Sequence, residues 1–127
     1  MPHAAISSPT SLSVAQTLAK LPLIIRVVLA GLLGAAGAWG MPPDAQPLAL
    51  IVYHGGLVVL LASVNRAGSG FALGWAAAFG FHLFGLAWVG EAFLVDAERF
   101  AWMRPFAMVG LPAGLALFAG LASAVYV

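Results

Sequence analysis

Cysteine is absent from this chain of 127 residues. That removes disulfides, thiolate catalysis and Cys-based zinc or iron–sulfur centres, and it is silent on redox compartment. Charge is nearly as scarce. Five Lys/Arg and four Asp/Glu make up 7% of the chain, where a soluble domain carries about 25%. Nine charges cannot cover the surface of a soluble domain of this size. A net charge of +1 leaves no electrostatic footprint for nucleic acid, so no nucleic-acid partner is expected. Period-2 alternation is missing as well: Ala, Leu and Gly dominate the apolar runs, and the alternating ten-residue segments of an outer-membrane barrel do not occur. There is no G-x-S-x-G and no phosphate-cradling glycine loop with Lys. Ser and Thr gather in the first twenty residues, and no apolar run places a Ser three or four positions from a His. These patterns give no reason to expect a catalytic centre, a cofactor or a metal.

What the chain has in abundance is apolar sequence, at 63%. The reading is an all-α membrane protein, with lipid as the solvent for most side chains. A spanning helix needs about 20 mostly apolar residues. Four segments meet or approach that: residues 21–40, 48–64, 71–93 and 105–127. A bundle of about four transmembrane helices joined by short turns follows, as one domain over residues 21–127. The polar stretch 1–20 reads as a disordered tail. Lys20, Arg26 and a short apolar run resemble a signal peptide, but the long polar lead and the later spans favour an uncleaved first helix.

The connections fit hairpins. Met41-Pro42-Pro43-Asp44-Ala45-Gln46-Pro47 is a proline-stiffened turn, and Asn65 to Gly70 is a second turn. Residues 95–104 hold much of the charge and, with Phe100 and Trp102, suit an interface helix or loop. Pro105 stands where a helix accepts proline, in its first turn. Pro112, between Gly110 and Gly114, is expected to kink the fourth helix. Arg26 is read as lying near the start of the first span and snorkelling to the headgroups, the other reading being a short re-entrant segment. Lys20, Arg26 and Arg66 fall on one side, against Arg99 and Arg104, which Asp96 and Glu98 accompany. The count places both termini in the cytoplasm.

Few residues offer chemistry. Glu91, near the outer end of the third span beside Trp88, is either a cation-binding or proton-relaying carboxylate or an interface residue next to an aromatic belt. His54 and His82 lie within spans. Counted at about 1.5 Å per residue, they sit about 9 Å and about 16 Å from the outer ends of their helices, too different in depth for direct contact. Each is read as hydrogen-bonding between helices. Asp96, Glu98 and Arg99 read as a solvated, locally paired loop. Gly70/Gly74, Gly110/Gly114, Ala76/Gly80 and Gly120/Ala124 are four apart, and Gly31, Gly34 and Gly37 recur every three. Such spacing lets membrane helices approach closely, either inside one bundle or across a dimer.

The order of these features resembles the N-terminal transmembrane part of apolipoprotein N-acyltransferases. A first similar stretch is Arg26 to Gln46, "RVVLAGLLGAAGAWGMPPDAQ". A more specific one is Gly70 to Gly120, with G-F-x-x-G-W at Gly70 to Trp75 and F-G-L-x-W-V at Phe84 to Val89. The resemblance implies a multi-pass protein of the bacterial inner membrane, in contact with membrane lipid. In the full-length family, a phospholipid is the acyl donor and a diacylated lipoprotein the acceptor. It also implies a nitrilase-like domain with a Glu-Lys-Cys triad, none of which maps onto this sequence. The chain has no Cys, and its one Lys is Lys20. The expectation is therefore a membrane-domain fragment, inactive alone, with Glu91, Trp88 and His82 as functional candidates and Gly70, Gly74, Gly110 and Gly114 as packing positions. The competing readings are a small dimeric four-helix transporter and a membrane assembly subunit.

Overall fold

A computed structural model describes the backbone of residues 9–127, and side chains from residue 13 onward. The described residues form helices and connecting turns, with no strand among them. The elements are α1 (Pro9–Ala19), α2 (Leu23–Gly37), α3 (Pro47–Leu61), α4 (Ala67–Gly85), α5 (Val89–Ala92), α6 (Ala97–Phe100) and α7 (Arg104–Tyr126). A 3-10 turn at Ala38–Gly40 extends α2, and another at Ala101–Met103 leads into α7.

The long helices run up, down, up and down. Gly37 lies against Tyr53 and Gly56 against Leu33, so α3 returns antiparallel along α2. Gly31 and Gly34 lie against Ala76 and Ala77, and Gly80 against Gly31 and Ala35, so α4 runs parallel to α2. Gly70 lies against Ser123 and Val127, and Gly120 against Phe71, so α7 returns antiparallel along α4. Helix α4 is therefore the spine, with α2 on one side and α7 on the other.

Small residues make this arrangement possible. A Cβ on Gly34 would run into the Ala77 carbonyl and lie 2.9 Å from the Phe81 nitrogen. One on Gly80 would run into the Gly31 carbonyl and lie 3.1 Å from the Ala35 nitrogen. Gly74 meets Ser123 and the Ala119 carbonyl in the same way. The neighbours of Gly34 and Gly80 are backbone atoms, which cannot rotate aside, so the α2–α4 crossing requires glycine on both helices. The core behind them comprises Ala30, Tyr53, Leu60, Leu61, Leu73, Ala76 and Ala77. Trp75 adds a polar tie, donating from Nε1 to the carbonyl of Ala113 at 3.1 Å.

Several boundaries differ from the sequence reading. The supposed disordered tail contains α1. Its Ala15 is 6% exposed and Leu18 packs on the core, and that burial is what tertiary contact adds to a weakly apolar segment. Residues 1–8 lie outside the described part. The third segment is helical only to Gly85. Apolar residues continue beyond it, but Leu86 leaves the helical region at φ −104°, ψ 13°, and α5 forms separately. Helix α3, at 15 residues, is about 22 Å long, short of the roughly 30 Å hydrocarbon core. Two helices are long and apolar enough to cross a membrane, Leu23–Gly40 and Ala97–Tyr126. Pro112 is fully buried within α7, whose helical assignment continues through it.

Much apolar surface faces outward. Leu32, Ile51, Phe106, Phe118 and Val125 are each more than 60% exposed. Contiguous apolar surface on this scale marks contact with a membrane or with other protein.

Candidate functional site

The charges divide between the two ends of the bundle. Lys20 precedes α2, Arg26 lies in its first turn, and Arg66 is the N-cap of α4. The up-and-down packing puts these three cations at one end, with no acid beside them. Asp44, Glu91, Asp96 and Glu98 are at the other, with Arg99 and Arg104.

At the first end, Arg26 reaches across to α3. Its Nη1 donates to the carbonyl oxygen of Ser63 at 2.8 Å and lies 3.2 Å from the Ser63 hydroxyl. The hydroxyl itself donates to the Leu60 carbonyl at 2.6 Å. Carbonyls at a helix C-terminus have no intrahelical partner and carry partial negative charge. A guanidinium placed there satisfies one of them and complements the dipole. The sequence reading placed Arg26 correctly near its helix start. The structure directs its head group to a neighbouring helix end, not to an open boundary.

At the other end the three candidates are not gathered into one site. Glu91 is exposed and pairs with Arg104 Nη2 at 3.1 Å, joining α5 to the start of α7. Gly90 beside it is buried, since a Cβ there would lie 2.7 Å from Met108 Sδ and 3.1 Å from Arg104 Nε. Trp88 is 69% exposed and lines a cavity that neither Glu91 nor His82 reaches.

His82 lies in the last turn of α4, closer to the end than the sequence count placed it, because the helix stops at Gly85. The rings at 53 and 81 stack with centroids 5.1 Å apart, so α3 and α4 are level there. His54 stands edge-on to Tyr53, and His82 edge-on to Phe81. The expected difference in depth is corrected accordingly. So is the expected bonding between helices: His54 Nδ1 meets the Leu50 carbonyl at 2.8 Å, and His82 Nδ1 the Ala78 carbonyl at 2.7 Å, each four residues back on its own helix. A carbonyl only accepts, so Nδ1 carries the proton in both rings. Among the described residues no group of three or more His, Cys, Asp and Glu side chains is placed to hold a metal.

The packing glycines divide as well. Gly70 and Gly74 face α7, as described above. Gly110 and Gly114 meet nothing within 4 Å of a Cβ and are exposed, so they form no helix contact within the described chain. They lie on the outward side of α7, opposite the buried Pro112, Ala116, Gly120 and Ser123.

The sequence reading did not single out a hollow at this end of the bundle. A cavity of about 620 Å³ opens between the end of α2, the Pro42-Pro43 turn and the segment after α4. Trp39, Asp44, Phe84 and Trp88 are among its walls. A smaller hollow of about 290 Å³, lined by Trp39, Asp44, Gln46 and Ala49, shares two of those residues. The available signal was the pair Trp39 and Asp44 flanking a proline turn, an indole and an acid held at the same end of the bundle.

The family model for the apolipoprotein N-acyltransferase N-terminal domain matches residues 30–127, from the buried face of α2 through the end of α7. The chain belongs to this family. Curated relatives named apolipoprotein N-acyltransferase match about three quarters of it. The protein of Caulobacter vibrioides is 48% identical over 100 residues, covering 77% of this chain and 19% of the relative. That of Rhizobium rhizogenes is 40% identical over 107 residues, covering 77% and 20%. That of Allorhizobium ampelinum is 42% identical over 106 residues, covering 76% and 20%. The chain thus spans about a fifth of the length of the curated relatives it matches. No solved structure matches it. Within the apolipoprotein N-acyltransferase N-terminal domain, the match takes in both glycine-dependent crossings, α2 with α4 and α4 with α7, and the cavity walls from Leu32 to Trp88.

Proposed function

We propose that these 127 residues form the N-terminal membrane part of an apolipoprotein N-acyltransferase of the bacterial inner membrane. Helices α2, α3, α4 and α7 cross the bilayer as a four-helix bundle with the N-terminus in the cytoplasm, the short α3 by local thinning of the bilayer. The observation that carries the reading is the family match over residues 30–127. Two physical features support it. The outward faces of α2, α3 and α7 are apolar. The unaccompanied cations Lys20, Arg26 and Arg66 share one end of the bundle, as cytoplasmic ends require.

In this role the helices hold and feed a catalytic centre and do not supply it. The 127 residues contain no cysteine, so the acyl-accepting thiol implied by the family resemblance is not among them. The substrates of that centre are a phospholipid acyl donor and a diacylated lipoprotein.

A chimera tests this. Residues 30–127 replace the matching region of the Caulobacter vibrioides relative, and N-acyl transfer to a diacylated lipoprotein peptide is assayed in membranes. Transfer by the chimera, with none from the 127-residue chain alone, is the expected result. A chimera that inserts and accumulates normally but transfers nothing counts against the reading.

A further inference from the structure

His54 stands at the midpoint of α3, about 10 Å from either end of the helix. It is exposed, as are Ile51, Gly55 and Val58. Their spacing of three, one and three residues aligns these four on one helical face. That face is turned away from Tyr53, Leu60 and Leu61, which α3 gives to the core. Among the described residues of α2, α3, α4 and α7, no other polar side chain is exposed away from a helix end. The outward side of α3 is thus apolar above and below, with one imidazole in the middle.

The Leu50 carbonyl occupies His54 Nδ1, so the neutral ring presents Nε2 as an acceptor. Among the described residues nothing donates to it. Lipid tails cannot donate either, and an acceptor left unmet in hydrocarbon is costly. Beside it, a Cβ on Gly55 would meet nothing within 4 Å, which leaves a notch where another backbone can come close. A second copy of the chain is a poor occupant, because a two-fold pairing on this face brings two Nε2 acceptors together with no proton between them. The matched region makes up 20%, 19% and 20% of the three relatives named above, so most of such a protein lies outside it. The structure assigns this face to a further membrane helix from that remainder. The helix docks along Ile51, Gly55 and Val58 and donates to His54 Nε2 from a hydroxyl, amide or indole. The inference deepens the membrane reading above and rests on it.

The test uses the chimera described above. The photoreactive residue p-benzoylphenylalanine replaces Val58, one turn from His54 on the same face, and crosslinks are mapped by mass spectrometry. The expected product joins position 58 to a part of the same polypeptide outside the replaced region. Crosslinks to lipid alone, or to a second copy, overturn the proposal. Stability in micelles gives a second readout. His54→Leu is expected to lower the ratio of folded to unfolded chimera about threefold, the average for a hydrogen bond between membrane helices. His54→Gln keeps an acceptor and recovers part of the loss. In the 127-residue chain alone, His54→Leu is expected to be neutral or stabilising. A loss of equal size in both proteins, or in neither, overturns the proposal. An unmodified chimera that transfers acyl groups shows that the reading above stands in each of these cases. One that inserts but transfers nothing defeats that reading, and this inference with it.

Discussion

Arg26, in the first turn of α2, donates to the carbonyl oxygen of Ser63 just past the end of α3, 37 positions further along the chain. The bond closes the α2–α3 hairpin at its open end, opposite the proline turn. It is part-buried, so water competes weakly for either partner. Loss of a charged donor from such a carbonyl costs about 1–3 kcal/mol. Arg26→Ala is expected to lower the unfolding free energy of the chain in mixed detergent micelles by that amount. Arg26→Lys recovers part of it, since an ammonium still donates but lacks the planar fork. An Arg26→Ala chain as stable as the wild type would show that the bond contributes nothing.

The glycines are predicted to separate into two groups. Gly34 and Gly80 face backbone on the opposing helix. Gly34→Val or Gly80→Val must push α2 and α4 apart, at a cost of about 3 kcal/mol or more, the upper range for overpacking. Gly110→Ala and Gly114→Ala project into open space. They are expected to be neutral, or to stabilise α7 by up to about 1 kcal/mol through helix propensity. Denaturation of the four variants in the same micelles distinguishes the groups.

Glu91 and Arg104 are both accessible, with side chains 68% and 36% exposed. An exposed pair of this kind contributes about 0–1 kcal/mol. Glu91→Gln therefore leaves folding nearly unchanged. It is equally expected to leave proton flux across vesicles unaltered, because a solvated, paired carboxylate is poorly placed to relay protons through a bundle. Proton-coupled efflux that disappeared in Glu91→Gln would restore the transporter reading.

Trp75 binds α4 to α7 through its Nε1 bond to the Ala113 carbonyl, one residue beyond the buried Pro112. Trp75→Phe keeps the ring and its stacking on Phe79, where centroids lie 5.0 Å apart, but loses the donor. The expected cost is about 1 kcal/mol. Indole emission at low temperature, compared between wild type and variant, checks that the bond is present in the folded chain.

Sequence and structure divide the account along physical lines. The helical class was legible because the apolar runs are rich in Ala, Leu and Gly and lack period-2 alternation. The apolar run that starts at Pro105 coincides with α7 to within one residue at each end. The end of α4 was not legible, since Leu86 to Val89 are as apolar as the helix before them and hydropathy is blind to a change of backbone angles. Nor was α1, whose helix depends on Ala15 and Leu18 finding the core. The cavity at Trp39 and Asp44 was missed because its walls come from residues about fifty positions apart.

By itself, then, the sequence determined what kind of solvent the chain suits, where its long helices lie and which family it resembles, because these depend on composition, spacing and order. Only the tertiary structure decided which glycines are needed, where Arg26 points, that Glu91 pairs with Arg104, and that Trp39, Asp44, Phe84 and Trp88 enclose one cavity. Each of those facts is a contact between distant positions. Spacing along one helix restricts which faces are small or polar; it does not choose the neighbour that each face meets.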